Sequence, residues 1–350
     1  MNASGDTRCP ITVVTGFLGS GKTTLLSRAL RHERLKNSEV LVNEYGQAGL
    51  DHRLLRRIEE KTRLLSGGCI CCNMRDDLID ALKEILFEDE KRQTRADRVV
   101  IETTGLADPA PIQFSLLMDP ILMNHFYVDR VICTLDAVNG DLHLAENPES
   151  VKQIVTADCV VITKTDLADE ATIAALVDKL RRLNPAAQVF RAAEGEVDLE
   201  GLFLAPVDAA ARAQRSVGAA APQASPNDAA QHDGGVRSMS IRFYEPLDWT
   251  AFGIWMSMLL FKHGVKMLRI KGIVDVGDCG PISINGVQHI IHPPQHLDDW
   301  NGEEHSSQIV FIMRELAPEL ILRSLRAFQG MIGAHPEIEE INLNPFGGAG

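Results

Sequence analysis

A glycine-rich segment near the start of the chain constrains the fold more than any other feature. Residues Gly16 to Thr24 read Gly-Phe-Leu-Gly-Ser-Gly-Lys-Thr-Thr. They follow the apolar run Ile11 to Val14, which predicts a buried strand, and precede Leu25 to Leu30, which predicts the first turns of a helix. A glycine turn between a strand and a helix, closed by Gly-Lys-Thr, is typical of a phosphate-binding loop, and an ordinary glycine turn is the alternative.

This loop offers the groups that hold a nucleoside triphosphate. Backbone N–H groups wrap around phosphate oxygens, and the helix N-terminus adds positive partial charge. We expect Lys22 to reach the β- and γ-phosphates and the Thr23 hydroxyl to bind Mg²⁺, so that both residues take part in catalysis. The residues predicted to hold the triphosphate are Gly16, Gly19, Ser20, Gly21, Lys22, Thr23 and Thr24.

Composition excludes several other classes of protein. The 350 residues are enough for two domains, and the excess of 48 acidic over 35 basic side chains argues against binding to nucleic acid or an anionic membrane. No apolar run approaches the roughly 20 residues of a transmembrane helix, and the N-terminus lacks the basic and apolar segments of a signal peptide. Seven cysteines, three of them crowded together, do not suggest a disulfide framework, so we expect a cytoplasmic protein.

The order of the predicted elements indicates an α/β fold followed by a smaller domain. Over residues 1–206, apolar runs alternate with helical patterns, which predicts a P-loop NTPase with a parallel sheet and helices on both faces. Residues 207–235 are rich in Ala, Pro, Gln and Ser, which predicts a flexible linker. Alternating runs over residues 236–345 predict a mostly antiparallel α+β domain, in which Asn285-Gly286 predicts a tight hairpin.

A carboxylate ends another predicted strand, Val99 to Glu102, three residues before Gly105. In nucleotide switches such a carboxylate holds Mg²⁺, directly or through water, and the glycine N–H contacts the γ-phosphate. Most such switches use aspartate at this position, so a glutamate restricts the chain to a smaller class of nucleotide-switch proteins. We expect Glu102 to be catalytic and Gly105 to lie in the nucleotide site.

The segment Thr163-Lys164-Thr165-Asp166 follows the apolar run Cys159 to Ile162. A carboxylate here accepts hydrogen bonds from both N1–H and the exocyclic amine of guanine, whereas adenine has an unprotonated N1 at that position. Lys164 can lay its aliphatic stem along the base or the ribose, and Thr163 stands where asparagine is usual. We expect all three, Thr163, Lys164 and Asp166, to bind GTP, and a solvated Lys/Asp pair at a strand end is the alternative.

Three thiols lie within four residues, at Cys69, Cys71 and Cys72, after two glycines and before a predicted helix. The helix dipole lowers the pKa of thiols at the start of a helix and so favours their thiolate form. Thiolates suit Zn²⁺, and Co²⁺ or Fe²⁺ less well. Adjacent cysteines are poorly placed to bridge each other, which argues against a disulfide, and a small buried cysteine is the alternative for one of the three. Glu44, at the end of the second predicted strand, is expected to be a fourth metal ligand, a Mg²⁺ contact or the group that positions the attacking water.

Together these motifs resemble the CobW family of P-loop GTPases, which are relatives of the GTPases that deliver nickel during urease and hydrogenase maturation. The resemblance covers nearly the whole chain except the linker. The histidine-rich tract that many members carry near the domain junction is absent from this sequence. The segments that carry the resemblance are Gly16 to Thr24, Asn43 to Gly46, Gly67 to Cys72, Glu102 to Pro109, Thr163 to Asp166, Gly195 to Asp198 and Leu268 to Gly272.

The resemblance implies GTP hydrolysis coupled to the insertion or trafficking of a metal, most often zinc, and cobalt or iron for some members. We therefore expect a GTP-dependent metallochaperone that uses GTP and Mg²⁺, binds Zn²⁺ at the Cys-x-Cys-Cys run and delivers it to a client metalloprotein. Two alternatives stay open: a GTP-gated scaffold for assembling a cobalt- or iron-containing enzyme, and an ATP-dependent small-molecule kinase. The sequence does not identify the client, and it allows a homo-oligomer.

Overall fold

The computed structural model describes residues 7–42, 62–64, 73–93, 95–205, 235–297, 300 and 305–342. The chain divides into two compact units, Met1–Leu176 with Ala187–Val207 and Val177–Ala186 with Asp208–Gly350. Each unit is built on its own sheet. Among the residues described, no helix is long and apolar enough to cross a membrane.

In the first unit, strands alternate with helices. The strands are β1 (Cys9–Gly16), β2 (Ser38–Val42), β3 (Thr62–Leu64), β4 (Arg98–Glu102), β5 (Phe126–Asp136), β6 (Cys159–Thr163) and β7 (Gln188–Arg191). The helices are α1 (Lys22–Ala29), α2 (Asn73–Arg92), α3 (Ala110–Met118), α4 (Pro120–His125), α5 (Gly140–Glu146), α6 (Pro148–Thr156), α7 (Glu170–Leu183) and α8 (Leu199–Phe203). Helix α7 belongs to the first unit only up to Leu176, and its remaining residues belong to the second. The strands pair in parallel in the order β3-β2-β4-β1-β5-β6-β7, so the predicted parallel α/β sheet is confirmed.

Both faces of this sheet are covered by helices. Successive side chains of a strand point to opposite faces. On β4, Val99 and Ile101 pack with Leu82 of α2 in one apolar cluster, whereas Val100 packs with Leu26 of α1 in another. Burial on both faces explains why these strands are continuous apolar runs rather than alternating patterns.

The parallel arrangement brings several polar strand ends to one edge of the sheet. Strand β1 ends at Gly16, β4 at Glu102, β5 at Asp136 and β6 at Thr163. Strand β1 lies between β4 and β5, and β6 follows β5. Open α/β sheets bind their ligands at the carboxyl ends of the strands, so this edge is the expected place of a ligand site.

In the residues that the structure describes from 235 onward, the second unit is an antiparallel sheet with two helices packed against it, which confirms the predicted α+β class. Its strands are β8 (Val236–Phe243), β9 (Met267–Asp275), β10 (Pro281–Val287), β11 (Ile290–Ile291), β12 (Gln295–His296), β13 (Ser307–Arg314) and β14 (Glu337–Asn342). They pair in the order β11-β10-β9-β13-β8-β14, with β12 on β10. Helices α9 (Trp249–His263) and α10 (Pro318–Ile332) contribute Trp255 and Leu325 to a core shared with Ile241 and Phe311 of the sheet.

The hairpin predicted at Asn285-Gly286 is misplaced. These two residues lie inside β10, where Asn285 pairs with Lys271 of β9. The chain reverses only after Val287, at Gln288, whose φ is 55°. Continuous pairing of β10 with β9, from Pro281 opposite Asp275 to Val287 opposite Arg269, outweighs the local preference of Asn-Gly for a turn, so the reversal comes later than the dipeptide predicts.

Candidate functional site

The predicted phosphate loop is anchored on strand β5. Gly16 has a φ of 140°, and a Cβ atom there would lie 2.4 Å from the carbonyl oxygen of Thr134. The Ser20 hydroxyl lies 2.7 Å from the Thr134 hydroxyl and donates to the carbonyl of Phe17 at 2.7 Å. A larger residue at position 16 would push the loop off the sheet, so glycine is required by close packing as well as by backbone geometry.

The rest of the loop leads into α1. Gly19 is exposed, Gly21 is the N-cap residue of α1, and Thr24 is exposed in its first turn. The first N–H groups of a helix have no partner within the helix and carry positive partial charge. This helix start therefore presents the backbone donors that an anion needs.

Lys22 extends over the loop from the first position of α1. Its Nζ donates to the carbonyl oxygens of Gly16 at 2.8 Å and Phe17 at 3.0 Å. Hydrogen bonds to a charged acceptor are about twice as strong as those to a neutral one, so phosphate oxygens are better partners for this ammonium group. The side chain is therefore held where a phosphate on the loop would meet it.

Thr23 and Glu102 contact each other at the same edge of the sheet. The Thr23 hydroxyl donates to Glu102 Oε1 at 2.7 Å, and the Glu102 side chain is buried. Gly105 lies against the loop, because a Cβ atom there would be 2.7 Å from the backbone nitrogen of Leu18. A hydroxyl and a carboxylate are the hard oxygen donors that Mg²⁺ prefers, so the chemistry of this pair fits the predicted ion.

The residues predicted to read the base lie at the end of β6. The Thr163 hydroxyl donates to the Ser20 carbonyl at 2.8 Å, which ties this strand end to the phosphate loop. Lys164 has a φ of 56°, and Asp166 Oδ1 accepts from the backbone N–H of Glu194 at 2.8 Å. Asp166 is exposed, so its carboxylate is accessible to a ligand while one of its oxygens holds the next loop in place.

That loop is a tight turn clamped from two sides. Ala193 and Glu196 exchange both backbone hydrogen bonds, and Asp166 holds the turn through the N–H of Glu194. From the other side, the Arg28 guanidinium of α1 donates to the Glu194 carbonyl and pairs with the Glu196 carboxylate. Helix α1, which begins at the phosphate loop, is thereby joined to the turn beside the predicted base contacts.

Sequence reasoning missed two residues that support the site. Asp136 ends β5 and accepts from Lys164 Nζ at 2.5 Å, and an apolar strand ending in a carboxylate is the same signal that drew attention to Glu102. Gln153 of α6 donates to the carbonyls of Gly105 at 3.2 Å and Ala107 at 3.0 Å. A glutamine within a helical pattern carries no local signal for such a role.

Asp136 keeps its charge despite burial. Burial alone raises the pKa of this carboxyl, but hydrogen bonds from Lys164 and from the N–H of Val138 outweigh it, so the pKa lies below its ordinary value of 3.8. A carboxyl whose pKa is lower in the folded than in the unfolded state stabilises the fold above the unfolded pKa. That stabilisation is lost as the pH falls through the folded pKa.

Replacing Asp136 by asparagine is expected to lower the free energy of unfolding by about 1–2 kcal/mol at pH 7, because a charged hydrogen bond to the partly exposed Lys164 is lost. The difference from the wild type should persist down to about pH 4 and shrink below it. Urea unfolding between pH 7 and pH 3.5 measures this. Asp80→Asn, at an exposed position of α2, is the control and should show no difference at any pH. A pH-independent loss in the Asp136 variant would contradict the assignment of the ion pair.

The predicted metal ligands Glu44, Cys69, Cys71 and Cys72 lie outside the described residues, so their roles stay predictions. Within the described parts of the chain, no group of three or more His, Cys, Asp or Glu side chains is placed to hold a metal ion. Burial raises the pKa of the Cys9 and Cys133 thiols to about 12, which disfavours the thiolate that metals need.

Comparison with known proteins agrees with this geometry. The family described as CobW/HypB/UreG, nucleotide-binding domain, matches residues 10–191, and the family described as cobalamin synthesis protein CobW C-terminal domain matches residues 236–329. Zinc chaperone YjiA of Escherichia coli is 32% identical over 92% of this chain and 98% of its own length. Zinc-regulated GTPase metalloprotein activator 1 of Schizosaccharomyces pombe is 33% identical over 54% of this chain, which spans only 47% of that relative.

Solved structures of a relative also match this chain, and the match extends over both units. The zinc-bound YjiA GTPase of Escherichia coli matches with a TM-score of 0.67 and 26% identity, covering 92% of this chain and 99% of that one. A zinc-bound triple mutant of YjiA, in which one glutamate and two consecutive cysteines are replaced by alanine, matches with a TM-score of 0.69 at the same identity and coverage. From the matches to both parts of the chain, together with the phosphate-loop geometry, we conclude that this protein belongs to the CobW/HypB/UreG family of P-loop nucleotide-binding proteins.

Proposed function

We propose that the chain is a GTP-hydrolysing metallochaperone that binds zinc and transfers it to a client metalloprotein. The observation that carries the proposal is the convergence of strand ends on the phosphate loop. Glu102 contacts the loop at Thr23, and Thr163 contacts it at Ser20. The names of the relatives, zinc chaperone and zinc-regulated GTPase, support GTP as the nucleotide and zinc as the cargo.

Hydrolysis of a triphosphate depends mainly on positioning and on stabilising negative charge. Lys22 supplies a full positive charge, and the N–H groups at the start of α1 supply partial charges beside it. Thr23 and Glu102 would hold Mg²⁺, which supplies charge neutralisation on the β- and γ-oxygens when bound. Gln153 fixes the carbonyl of Gly105, and so keeps that residue's N–H beside the loop.

Guanine would be selected at the end of β6. The Asp166 carboxylate accepts from N1–H and the exocyclic amine of the base, and Lys164 lies along the ring with its ammonium group held by Asp136. An adenine base has no N1–H to donate, so the same carboxylate disfavours ATP. In this proposal, the preference of Asp166 for guanine over adenine is what favours a GTPase over the ATP-dependent small-molecule kinase.

The cargo site in this proposal consists of Cys69, Cys71 and Cys72, with Glu44 as a fourth ligand. Three thiolates and a carboxylate match the preference of Zn²⁺ for four ligands including sulfur. In the YjiA triple mutant, one glutamate and two consecutive cysteines were the residues replaced, which is the same combination of residue types. Because that mutant still carries zinc, a test in this chain must separate one tight site from additional weaker ones.

The nucleotide is proposed to control this site through the chain between β2 and α2. Val42, the last residue of β2, pairs with Glu102, so the segment that carries all four proposed ligands begins beside the carboxylate that contacts Thr23. The same segment ends at Asn73, where α2 begins. A change in the contacts of Glu102 is therefore next to the start of the metal-binding segment, and GTP binding can favour the arrangement that holds zinc.

Zinc affinity is expected to be roughly 10-fold or more higher with a non-hydrolysable GTP analogue than with GDP, because coupling between two sites is typically 1–3 kcal/mol. Replacing Cys71 and Cys72 by serine should abolish the tight one-to-one site and leave nucleotide affinity unchanged. Competition with a chromophoric zinc chelator measures the first quantity, and fluorescent GTP titration measures the second. Cys9→Ala, which removes a buried thiol of raised pKa, is the matched control and should keep the site.

Two results would count against the proposal. Equal zinc affinities in the two nucleotide states would reject the nucleotide switch while leaving a metal site. Undiminished one-to-one zinc in the double serine variant would reject the cysteine site. Protein that binds GTP and its client without any bound metal would favour the scaffold alternative over the chaperone.

A further inference from the structure

The outer face of helix α9 is apolar although it is exposed. The inner face of this helix packs Phe252, Trp255 and Leu259 into the core of the second unit. On the opposite side, Ile254 is 53% exposed, Met258 56% and Phe261 96%, and Val265, just after the helix, is 86% exposed. The residues of this surface, called here the α9 outer face, are Thr250, Ile254, Ser257, Met258, Phe261 and Val265. A helix that is apolar all round is normally buried, and exposed apolar patches mark interaction sites, so we expect a partner to cover this face.

Helix α10 shows that folding of the unit does not require such a face. It has the same length as α9, contributes Leu325 to the same core and covers the same face of the sheet. Its exposed side carries Glu319, Arg323 and Arg326, the polar pattern that is usual for a surface helix, together with Met331 at its C-terminal end. The two helices thus pack into the same core, but α10 exposes mainly polar side chains and α9 mainly apolar ones.

The charges around the α9 outer face are separated by sign. Glu245 and Asp248 are exposed before the N-terminus of the helix, and Lys262 and Lys266 are exposed at its C-terminal end. Between residues 249 and 266 there is no acidic side chain, in a chain whose net charge is −13. If a second copy of this helix packed antiparallel on the first, the basic C-terminal end of each helix would lie beside the acidic N-terminal end of the other.

We infer that the α9 outer face pairs with the same face of a second copy of this chain, as an antiparallel helix pair. In a two-fold dimer, each contact between two residues occurs twice, with the copies exchanged. With the axis between Ser257 and Met258, Ile254 of one copy lies opposite Phe261 of the other, and these two residues are about 10 Å apart along a helix. The apolar residues then form the centre of the interface and the charges its rim.

The spacing of the face suits this arrangement at its ends as well. Thr250 lies opposite Val265, so this register keeps residues of the α9 outer face against each other along its whole length. The net charge of each copy opposes association, but repulsion beyond about 8 Å is screened at physiological salt, and the face itself is balanced.

The test is the molar mass of the full chain by light scattering after gel filtration, at about 1 to 100 µM protein. The wild type is expected to run at twice the mass of one chain. Met258→Glu should raise the dissociation constant by about 30-fold or more, because the axis brings the two new carboxylates together in an apolar contact. Phe261→Ser should do the same without risk to the core, since Phe261 is almost fully exposed.

The matched control is Met331→Glu, which adds the same charge at a 59% exposed methionine of α10 and should leave the dimer intact. Ser257→Cys, next to the axis, should cross-link two copies on mild oxidation, whereas Thr250→Cys, away from it, should not. A monomeric wild type at 100 µM would overturn the inference, and so would equal weakening by Met258→Glu and Met331→Glu. If that monomer bound phosphatidylserine vesicles through Met258, the face would belong to a membrane contact instead.

Discussion

Replacing Lys22 by alanine is expected to lower the rate of GTP hydrolysis by roughly 100- to 1,000-fold, the usual effect of removing one donor to developing negative charge in an active site. The ammonium group lies 2.8 Å from the Gly16 carbonyl and 3.0 Å from the Phe17 carbonyl, directly over the phosphate loop. Alanine leaves the loop without its only side-chain positive charge among residues 16–24. Phosphate release under saturating GTP measures the loss.

The fold of the variant should survive, which keeps this experiment interpretable. The loop has its own hydrogen bonds, from the Ser20 hydroxyl and the Ser20 N–H to the Phe17 carbonyl, and these do not involve Lys22. Lys22→Arg separates charge from geometry, since arginine keeps the charge on a longer, planar group. Lys36→Ala removes an exposed lysine of the same unit and should hydrolyse GTP at the wild-type rate. Hydrolysis above a tenth of the wild-type rate in Lys22→Ala would remove Lys22 from the catalytic set.

The parts of the fold that could be predicted are those with a strong local pattern. The sequence predicts a strand over Gln188–Arg191 and a helix over Glu170–Leu183, and strand β7 and helix α7 have these bounds, because each is an apolar pattern bounded by polar residues. Strand β3 has three residues and β14 contains three glutamates among six residues, so neither produces an apolar run. Strands of this kind form because a neighbouring strand offers unpaired backbone groups, which sequence alone does not reveal.

In the candidate site, too, some residues could be predicted from a local pattern and others could not. Glu102, at the end of a strand, and Asp166, three residues after one, could be predicted because an apolar run there gives way to polar side chains. The supporting contacts could not, because they join distant positions: Gln153 to the loop at Gly105, and Arg28 to the turn at Glu194. Such contacts depend on how helices lie against the sheet, which is a result of packing and not of local pattern.

Thr163 stands where asparagine is usual, and from the sequence alone this difference puts one base contact in doubt. In the structure its hydroxyl donates to the Ser20 carbonyl at 2.8 Å, so it holds the predicted base-binding segment, Thr163 to Asp166, against the phosphate loop. Base recognition would then fall mainly on Asp166, and changing that single side chain should alter the choice of nucleotide strongly.

Replacing Asp166 by asparagine is expected to weaken GTP binding by about 100-fold and to improve the binding of xanthosine triphosphate. An amide loses one of the two acceptors that guanine N1–H and the exocyclic amine require, and gains donors that suit the oxygen of xanthine at the same position. Asparagine still has an Oδ1 that can accept from the Glu194 N–H, so the turn beside the site stays in place. Competition of GTP, ATP and xanthosine triphosphate against one fluorescent nucleotide measures the change.

Asp169→Asn is the matched control, because it removes the same charge three residues away. Asp169 is exposed and accepts from the N–H of Thr172 at the start of α7, and asparagine caps a helix about as well as aspartate. A general loss of negative charge would change both variants alike, whereas base recognition by Asp166 changes only the first. If Asp166→Asn kept its preference for GTP over xanthosine triphosphate, the carboxylate would not face the base, and the choice of guanine would have to come from the turn at Ala193 to Glu196. Tighter binding of ATP than of GTP by the wild type would instead favour the kinase alternative, since a carboxylate that repels adenine could not then be in contact with the base.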